Sequence, residues 1–258
     1  MRKIIPIAAP EQRGGCDPSA GGPAEVVHVL QHTSAEYLGH IEDHLEGRGV
    51  RFRYARPFAG KAPFPAPDAL GEGVFILGGG PWGSAGARDV PTLAEEVALA
   101  KACLEQDLPI VGVGLGAQIL AIAAGGASES APLTFSVGKA RRTDEKALGG
   151  YLPETYPLAI YMRDRAVPPA DAAILAVDEE GRPALWQVGE RALGFAGHPG
   201  LKVAMVEDLI MEFEEVPPPA DIERGLAALR REQRALEDAL VPLMAGIVKL
   251  TGWMKLPA

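Results

Sequence analysis

The stretch that decides the fold is residues 108–124, which read Leu-Pro-Ile-Val-Gly-Val-Gly-Leu-Gly-Ala-Gln-Ile-Leu-Ala-Ile-Ala-Ala. An apolar strand is followed at once by a glycine turn and an alanine-rich helix. A strand, a sharp turn and a helix in direct succession form the frame of a nucleophile elbow, which presents one side chain from a strained backbone position. The residue at that position is Gly114, which has no side chain to present.

Short apolar runs that alternate with helical patterns flank this stretch. The runs at 25–31 and 73–77 are typical of buried parallel strands, whereas residues 91–106 have the apolar spacing of a helix. This alternation predicts an α/β fold in which a mostly parallel sheet is covered by helices on both faces. Residues 130–195 carry short extended segments separated by turns, so we expect an added antiparallel region there.

A helix is expected directly after the first strand. The segment Thr33-Ser34-Ala35-Glu36 predicts its start, because a hydroxyl residue can cap the free amides and an acid follows in the first turn. Gly49 is expected to end it. His40 and His44 would share one face of this helix at a spacing that can chelate zinc, but no third ligand follows at a suitable spacing. We therefore expect no metal site and no cofactor.

Three segments divide the chain. Residues 1–24, rich in glycine and proline, indicate a flexible leader, and residues 25–216 are predicted to form the main domain. Residues 217–258 are expected to be a C-terminal helical extension that packs on the domain or on a partner. Its helix is predicted from Ala220 to about Leu240, and the apolar seam that could form a coiled coil is expected to be interrupted at Pro242.

The composition is that of an ordinary soluble globular protein, with 47% hydrophobic and 23% charged residues. A formal net charge of −9 disfavours nucleic acid or an anionic membrane as a partner, because both require a basic face. No apolar run approaches the length of a membrane span, and the N-terminus lacks a long apolar segment. The two cysteines, Cys16 and Cys103, do not make a disulfide framework, which favours a reducing cytoplasm.

Four sequence blocks, in order, resemble a known family. Residues 112–118 read Gly-Val-Gly-Leu-Gly-Ala-Gln, where the class I glutamine amidotransferases read Gly-x-Cys-x-Gly-x-Gln. The other three blocks are residues 31–39, 76–81 and 188–199. Over residues 26–215 the chain resembles stand-alone proteins related to the glutaminase part of GMP synthase. The resemblance implies a flavodoxin-like three-layer α/β sandwich.

The resemblance also implies where a catalytic triad would lie. In the family a thiolate attacks the side-chain amide of glutamine, a histidine transfers the proton, and a glutamate orients the histidine. The corresponding positions are Gly114 for the thiol, His198 for the histidine and Gly200 for the glutamate. Two of these three positions hold glycine. Cys103 lies in the preceding predicted helix, so we expect a small buried apolar residue there and not a substitute nucleophile.

An oxyanion hole needs only backbone N–H groups, so it could persist without the thiol. The resemblance assigns it to the N–H of Leu115 and to an N–H in the turn formed by Gly79 and Gly80. Glycine tolerates a positive φ and could hold the elbow conformation at Gly114 at little cost. The alternative interpretation is that these glycines only turn the chain.

Two further positions are candidates for substrate binding. Gln118 matches the glutamine of the family motif, although a helix glutamine that bonds to nearby backbone is an equally good interpretation. Asp164 is retained where relatives carry a His-x-Asp segment, but Met162 stands at the histidine position. A surface ion pair of Asp164 with Arg163 or Arg165 is the alternative.

These observations predict a catalytically degenerate amidotransferase-like protein, or pseudoenzyme, in the cytoplasm. It would bind glutamine or a related small amide or carboxylate, or act in a complex through a protein partner of the helix at residues 220–245. The alternative is an active amidotransferase or amidohydrolase with a non-standard nucleophile, supplied by solvent, substrate or a partner chain.

Overall fold

The computed structural model describes residues 26–59 and 64–253, and they form two sheets and five α-helices. The strands are β1 Val27–Leu30, β2 Phe52–Ala55, β3 Val74–Ile76, β4 Ile110–Val113, β5 Ala127–Glu129, β6 Thr134–Arg142, β7 Thr155–Met162, β8 Arg165–Val167, β9 Ala173–Val177, β10 Pro183–Val188 and β11 Ala192–Phe195. The helices are α1 His40–Glu46, α2 Leu93–Glu105, α3 Leu115–Ala123, α4 Val203–Glu212 and α5 Pro219–Thr251.

The main sheet has nine strands in the order β2-β1-β3-β4-β11-β10-β9-β6-β7. The pairs from β2 to β11 are parallel, and the pairs from β11 to β7 are antiparallel. Strands β5 and β8 form a separate antiparallel pair. The predicted α/β sandwich, with a parallel part and an added antiparallel region, is confirmed.

Alternation along the short buried strands divides the core into two layers. Phe75 of β3 packs in the cluster that contains α1 and the C-terminal half of α5, whereas Val74 and Ile76 pack against α2 and α3. Successive side chains of a strand point to opposite faces of a sheet, so each short strand supplies both layers. A third cluster joins α4 and the first half of α5 to β6 and β7.

The helix start predicted at Thr33 is wrong, because α1 begins at His40. The capping interaction itself does form, since the Glu36 N–H donates to Thr33 Oγ1 over 3.0 Å. Gly39 then adopts φ 64° and ψ −127°, which is not a helical conformation, so residues 33–36 and α1 cannot form one continuous helix. Residues 31–39 are therefore a loop that leaves the carboxyl end of β1.

The helix end predicted near Leu240 is also wrong. Helix α5 runs without a break through Pro242 to Thr251. Leu243, Met244 and Ile247 beyond the proline are buried against the domain, and their packing outweighs the roughly 3 kcal/mol that an internal proline costs. Helix α5 contacts β6, β7, α1 and α4 of the same chain.

No helix in the described part of the chain combines the length and the hydropathy needed to cross a bilayer. Helix α4 was not predicted from the sequence, although its residues Met205, Val206 and Leu209 are fully buried. Its ten residues are too few for the apolar spacing to stand out from the adjoining segments.

The packing of α5 can be tested with one substitution. Leu240→Ala should lower the free energy of unfolding by about 2–5 kcal/mol, because it removes a fully buried side chain. Arg234→Ala, on the exposed face of the same helix, should change it by less than about 0.5 kcal/mol. Urea unfolding curves measure both values. A loss below about 1 kcal/mol for Leu240→Ala would contradict the packing of α5 on this domain.

Candidate functional site

Residue 114 forms a sharp elbow between β4 and α3. Gly114 has φ 56° and ψ −112°, a combination that is strained for any residue with a side chain. Its N–H donates to the Phe195 carbonyl at the end of β11 over 2.9 Å. A Cβ built on Gly114 would meet only Gly78 Cα, at 3.5 Å, so the elbow has room for a side chain.

The first turn of α3 lies directly against the end of β3. A Cβ on Gly116 would be 1.9 Å from the Ile76 carbonyl oxygen, and the Gly116 N–H donates to the Leu77 carbonyl over 3.1 Å. Only glycine allows this approach. The elbow and the turn that follows β3 are therefore held together by backbone contact.

The structure brings the residues predicted for an oxyanion hole together at this point. The Leu115 side chain lies against Gly79, where a Cβ would be 2.5 Å from Leu115 Cδ2. Gly80 has φ 56° and ends the turn before Pro81. The Leu115 N–H has no acceptor among the described residues, as is usual for the first amide of a helix.

The Gly80 N–H is not free, because it donates to Glu36 Oε2 over 2.9 Å. A Cβ on Gly78 would lie 1.6 Å from Glu36 Oε1, so the carboxyl group rests on the glycine turn itself. Burial raises the pKa of Glu36 to about 7, although the Gly80 N–H and His32 oppose the rise. The sequence does not single out Glu36 as a functional residue, because the pattern around it is that of a helix start.

A buried ion pair, formed by His32 and Glu96, contacts the same turn. His32 Nδ1 is 2.9 Å from the Gly78 carbonyl, and His32 Nε2 is 2.7 Å from Glu96 Oε2. Burial lowers the pKa of His32, but the Glu96 carboxylate, the Gly78 carbonyl and Glu36 together outweigh it, and the net pKa is raised. Thr92 Oγ1 donates to the other Glu96 oxygen over 2.6 Å. The pair is therefore well satisfied and fixes the turn.

His198 follows β11 and is 4% exposed. Its Nε2–H donates to the Tyr37 carbonyl over 2.7 Å, and its Nδ1 accepts the Gly200 N–H over 3.1 Å. A carbonyl only accepts and an N–H only donates, so the ring is neutral with the proton on Nε2. Burial lowers the pKa of His198 to about 4, although the Tyr37 carbonyl opposes this. Both ring nitrogens are engaged.

Gly200 is packed against the start of α1. A Cβ there would be 2.8 Å from the Leu38 carbonyl oxygen and 2.9 Å from Ile41 Cγ1. The Gly200 carbonyl also accepts the His40 N–H over 2.9 Å. The position therefore has no room for a glutamate unless the loop before α1 moves.

Gln118 is fully buried in α3 and links two neighbouring segments. Its Oε1 accepts the Ser84 hydroxyl over 2.7 Å, and its Nε2 donates to the Arg163 carbonyl over 2.7 Å. Both ends of the amide thus bind protein groups.

Asp164 is buried in the loop after β7, with φ 60°. Its Oδ2 accepts the N–H groups of Ser84 and Ala85, and its Oδ1 accepts that of Ala131, over 2.9–3.1 Å. The surface ion pair of Asp164 with Arg163 or Arg165, considered as an alternative, does not form. Arg163 instead pairs with Glu215.

A cavity of about 320 Å³ lies beside the antiparallel part of the sheet. Met162 and Asp164 line it, together with Ile160 and Ala196, and Arg165 and Arg182 supply charge. Gly114 and the glycine turn are buried outside its lining. The structure therefore groups Gly114 with the glycine turn and leaves Asp164 at a separate cavity.

The remaining candidates lie apart from the elbow. Cys103 is buried in α2, and burial raises the pKa of its thiol. His40 contacts Gln233 and Glu237, whereas His44 contacts Arg48. Within the described ranges, no group of three His, Cys, Asp or Glu side chains could hold a metal ion. Cys16 lies outside the described residues.

The fold and the elbow together define an α/β protein of the amidotransferase type. The sequence model of the family described as glutamine amidotransferase class-I matches residues 62–201, more than half of the chain. The chain therefore belongs to the glutamine amidotransferase class-I family. No curated protein compared with the chain matches it.

Solved structures show the same fold. A glutamine amidotransferase from Thermotoga maritima aligns with a TM-score of 0.71 and 19% identity, over 88% of this chain and 97% of that one. One from Methylobacillus flagellatus aligns with a TM-score of 0.69 and 20% identity, over 91% and 97%. A proposed GMP synthase subunit from Thermoplasma acidophilum aligns with a TM-score of 0.52 and 17% identity, over 81% and 96%.

The two glycines at candidate triad positions should respond differently to a methyl group. Gly114→Ala has room and should lower the free energy of unfolding by about 1–3 kcal/mol, through backbone strain alone. Gly200→Ala collides with backbone and should lower it by more than about 3 kcal/mol or prevent folding. Urea unfolding measures both. Equal losses in the two variants would contradict this difference in packing.

The buried His198 should remain neutral to low pH. Its pKa in the folded protein is below the value near 6.5 of an exposed histidine, so stability falls as pH drops from about 6.5 to 4. The wild type should lose about 3 kcal/mol of its free energy of unfolding relative to His198→Gln over this range, because the variant has no group that titrates there. NMR should show a neutral ring protonated on Nε2 at pH 6. Titration of the ring near pH 6.5 would contradict this account.

Proposed function

We propose that this chain is a non-catalytic member of its family, which binds a small amide or carboxylate or serves as a subunit of a complex. The observation that carries the proposal is glycine at the elbow, where the resemblance implies a thiol. Loss of the nucleophile from a catalytic triad costs on the order of 10⁶ in rate in serine hydrolases. The one cysteine among the described residues, Cys103, lies buried in α2 and not on the elbow.

The state of His198 supports the same proposal. A general base needs a free nitrogen within reach of the proton that it removes. Both nitrogens of His198 are engaged with backbone groups, and its low pKa makes it a weak base. At Gly200 there is neither an orienting carboxylate nor room for one.

The proposed ligand is glutamine or a related small amide or carboxylate, as in the family, and the proposed compartment is the cytoplasm. A protein partner remains part of the proposal. Because the apolar side of residues 220–245 packs within the chain, such a partner would contact the charged outer face of α5. Nucleic acid is not proposed, given the net charge of −9.

A second candidate function is hydrolysis with water as the nucleophile. Glu36 favours it, because a buried carboxyl group with a pKa of about 7 lies against Gly78 beside the elbow. The oxyanion position would then depend on the N–H groups of Leu115 and Gly79, which have no acceptor among the described residues, since Glu36 itself takes the Gly80 N–H.

Ammonia release from glutamine separates the two functions. The wild-type protein should release no ammonia above the buffer rate, because the elbow presents no nucleophile. Cys103→Ala should behave identically and excludes a contribution from the buried thiol. Turnover that Glu36→Gln abolishes and Cys103→Ala preserves would overturn the non-catalytic proposal in favour of the hydrolase.

A further inference from the structure

The antiparallel part of the main sheet curls back on itself. Strand β6 pairs with β7 from Thr134 to Arg141 but with β9 only at Arg141 and Arg142, so among the described strands its first half has a neighbour on one side alone. Beyond β11 the chain returns to β7, where the His198 N–H donates to the Ala159 carbonyl over 2.9 Å. The cavity of about 320 Å³ lies beside this unpaired half of β6.

One face of β6 and β7 forms the floor of the cavity. Thr134 is directly opposite Met162 in the strand register and Ser136 is opposite Ile160, so these four side chains share one face. Ala196, which follows β11, also lines the cavity. The floor therefore combines apolar side chains with two hydroxyl groups, and neither hydroxyl forms a hydrogen bond within the described ranges.

The size and composition of the cavity suit a small molecule. Sites for small ligands measure about 300–1,000 Å³ and are mostly apolar with a few polar groups that fix the orientation of the ligand. Ile160 and Ala196 are only partly buried, so a ligand that covers them removes apolar surface from water. The volume lies at the lower end of the range, which favours a short apolar chain over a large cofactor.

Arg165 is the unpaired cation of the cavity. Its guanidinium forms no hydrogen bond within the described part of the chain, and its Nη1 is 4.0 Å from Glu129 Oε2, the one acidic oxygen this close. The Glu129 side chain is 63% exposed, so water weakens this attraction. A guanidinium matches the planar carboxylate group and can bind it through two parallel hydrogen bonds.

The other charged groups that line the cavity are already paired. Asp164 accepts three backbone N–H groups. Asp178 accepts the backbone N–H groups of Glu180 and Arg182, and the Arg182 guanidinium donates to both acids. The charge that remains available inside the cavity is therefore positive, and it belongs to Arg165.

We propose that this cavity is a binding site for a small monocarboxylate with an apolar chain, whose carboxylate binds Arg165 and whose chain covers Ile160 and Met162. Glutamine does not belong to this class, because its ammonium and amide groups would lose water against the apolar floor. The site does not include the elbow, so this inference does not depend on the proposed function. The ammonia assay and the experiments below therefore succeed or fail separately.

The test is an NMR titration of the whole chain, labelled with ¹³C in its isoleucine and methionine methyl groups, with acetate, butyrate and hexanoate. The methyl signals of Ile160 and Met162 should shift. Affinity should rise about three- to fourfold for each added methylene group, and so by about tenfold from butyrate to hexanoate. Absence of binding, a series without this rise, or shifts confined to other methyl groups would overturn the proposal.

Probes that keep the chain of hexanoate and change its head group test the ligand class. Hexylammonium and 1-hexanol should each bind at least about tenfold more weakly than hexanoate, because neither can replace a carboxylate on a guanidinium. Glutamine should not displace hexanoate. Equal or tighter binding of either hexyl probe, or displacement by glutamine, would overturn the assignment to an apolar carboxylate.

Three variants test the role of Arg165. Arg165→Gln should weaken hexanoate binding by about tenfold or more, because a charge-assisted hydrogen bond is lost. Glu129→Gln should tighten it by up to about fivefold, because it removes the competing carboxylate. Arg141→Gln is the matched control, since it removes a positive charge from β6 outside the cavity lining and should leave the affinity within about twofold.

Weaker binding in Glu129→Gln would overturn the proposal, because it would mean that the acid and not the arginine holds the ligand. Equal losses in Arg165→Gln and Arg141→Gln would also overturn it, because they would reduce the effect to net charge. The series from acetate to hexanoate uses the wild type, so it decides the proposal even where a variant does not fold.

Discussion

The backbone contact between the start of α3 and the end of β3 is the constraint on which the site depends. Gly116 approaches the Ile76 carbonyl so closely that any Cβ would collide with it, and its N–H bonds to the Leu77 carbonyl. Glycine alone permits two segments to come this near. The contact places the elbow beside the glycine turn, and the N–H groups of both segments then lie at one edge of the sheet.

Most of the buried charge around the elbow and the neighbouring cavity is compensated. His32 pairs with Glu96, and three backbone N–H groups satisfy the Asp164 carboxylate. Burying a charge is costly unless it is paired and hydrogen-bonded, so these groups act as structural connections. Glu36 is the exception, because its carboxyl group accepts one backbone N–H among the described residues and burial keeps its pKa near 7. This incomplete compensation distinguishes a candidate functional group from its structural neighbours.

Local patterns predicted the fold well, and they failed where distant contacts decide. The elbow at Gly114 was predictable because strand, turn and helix are adjacent in the chain. The pattern at Thr33 predicted a helix, but the capping bond forms in a loop that contacts between Gly39 and Gly200 hold in place. The last helix was predicted to end near Leu240, yet packing of the residues beyond Pro242 keeps α5 continuous. In both cases tertiary contacts outweigh local preference.

The sequence by itself determined the α/β architecture, the elbow and the residue type at its tip, because these follow from short-range periodicity and from glycine. Only the tertiary structure decided which polar groups meet there. Glu36 and Gly80 are 44 residues apart in the chain, and Gln118 and Arg163 are 45 residues apart. The hydrogen bonds of His198 likewise depend on how the loop before α1 packs on the segment after β11. Burial and pairing between distant segments set the protonation of a side chain, and no local pattern contains that information.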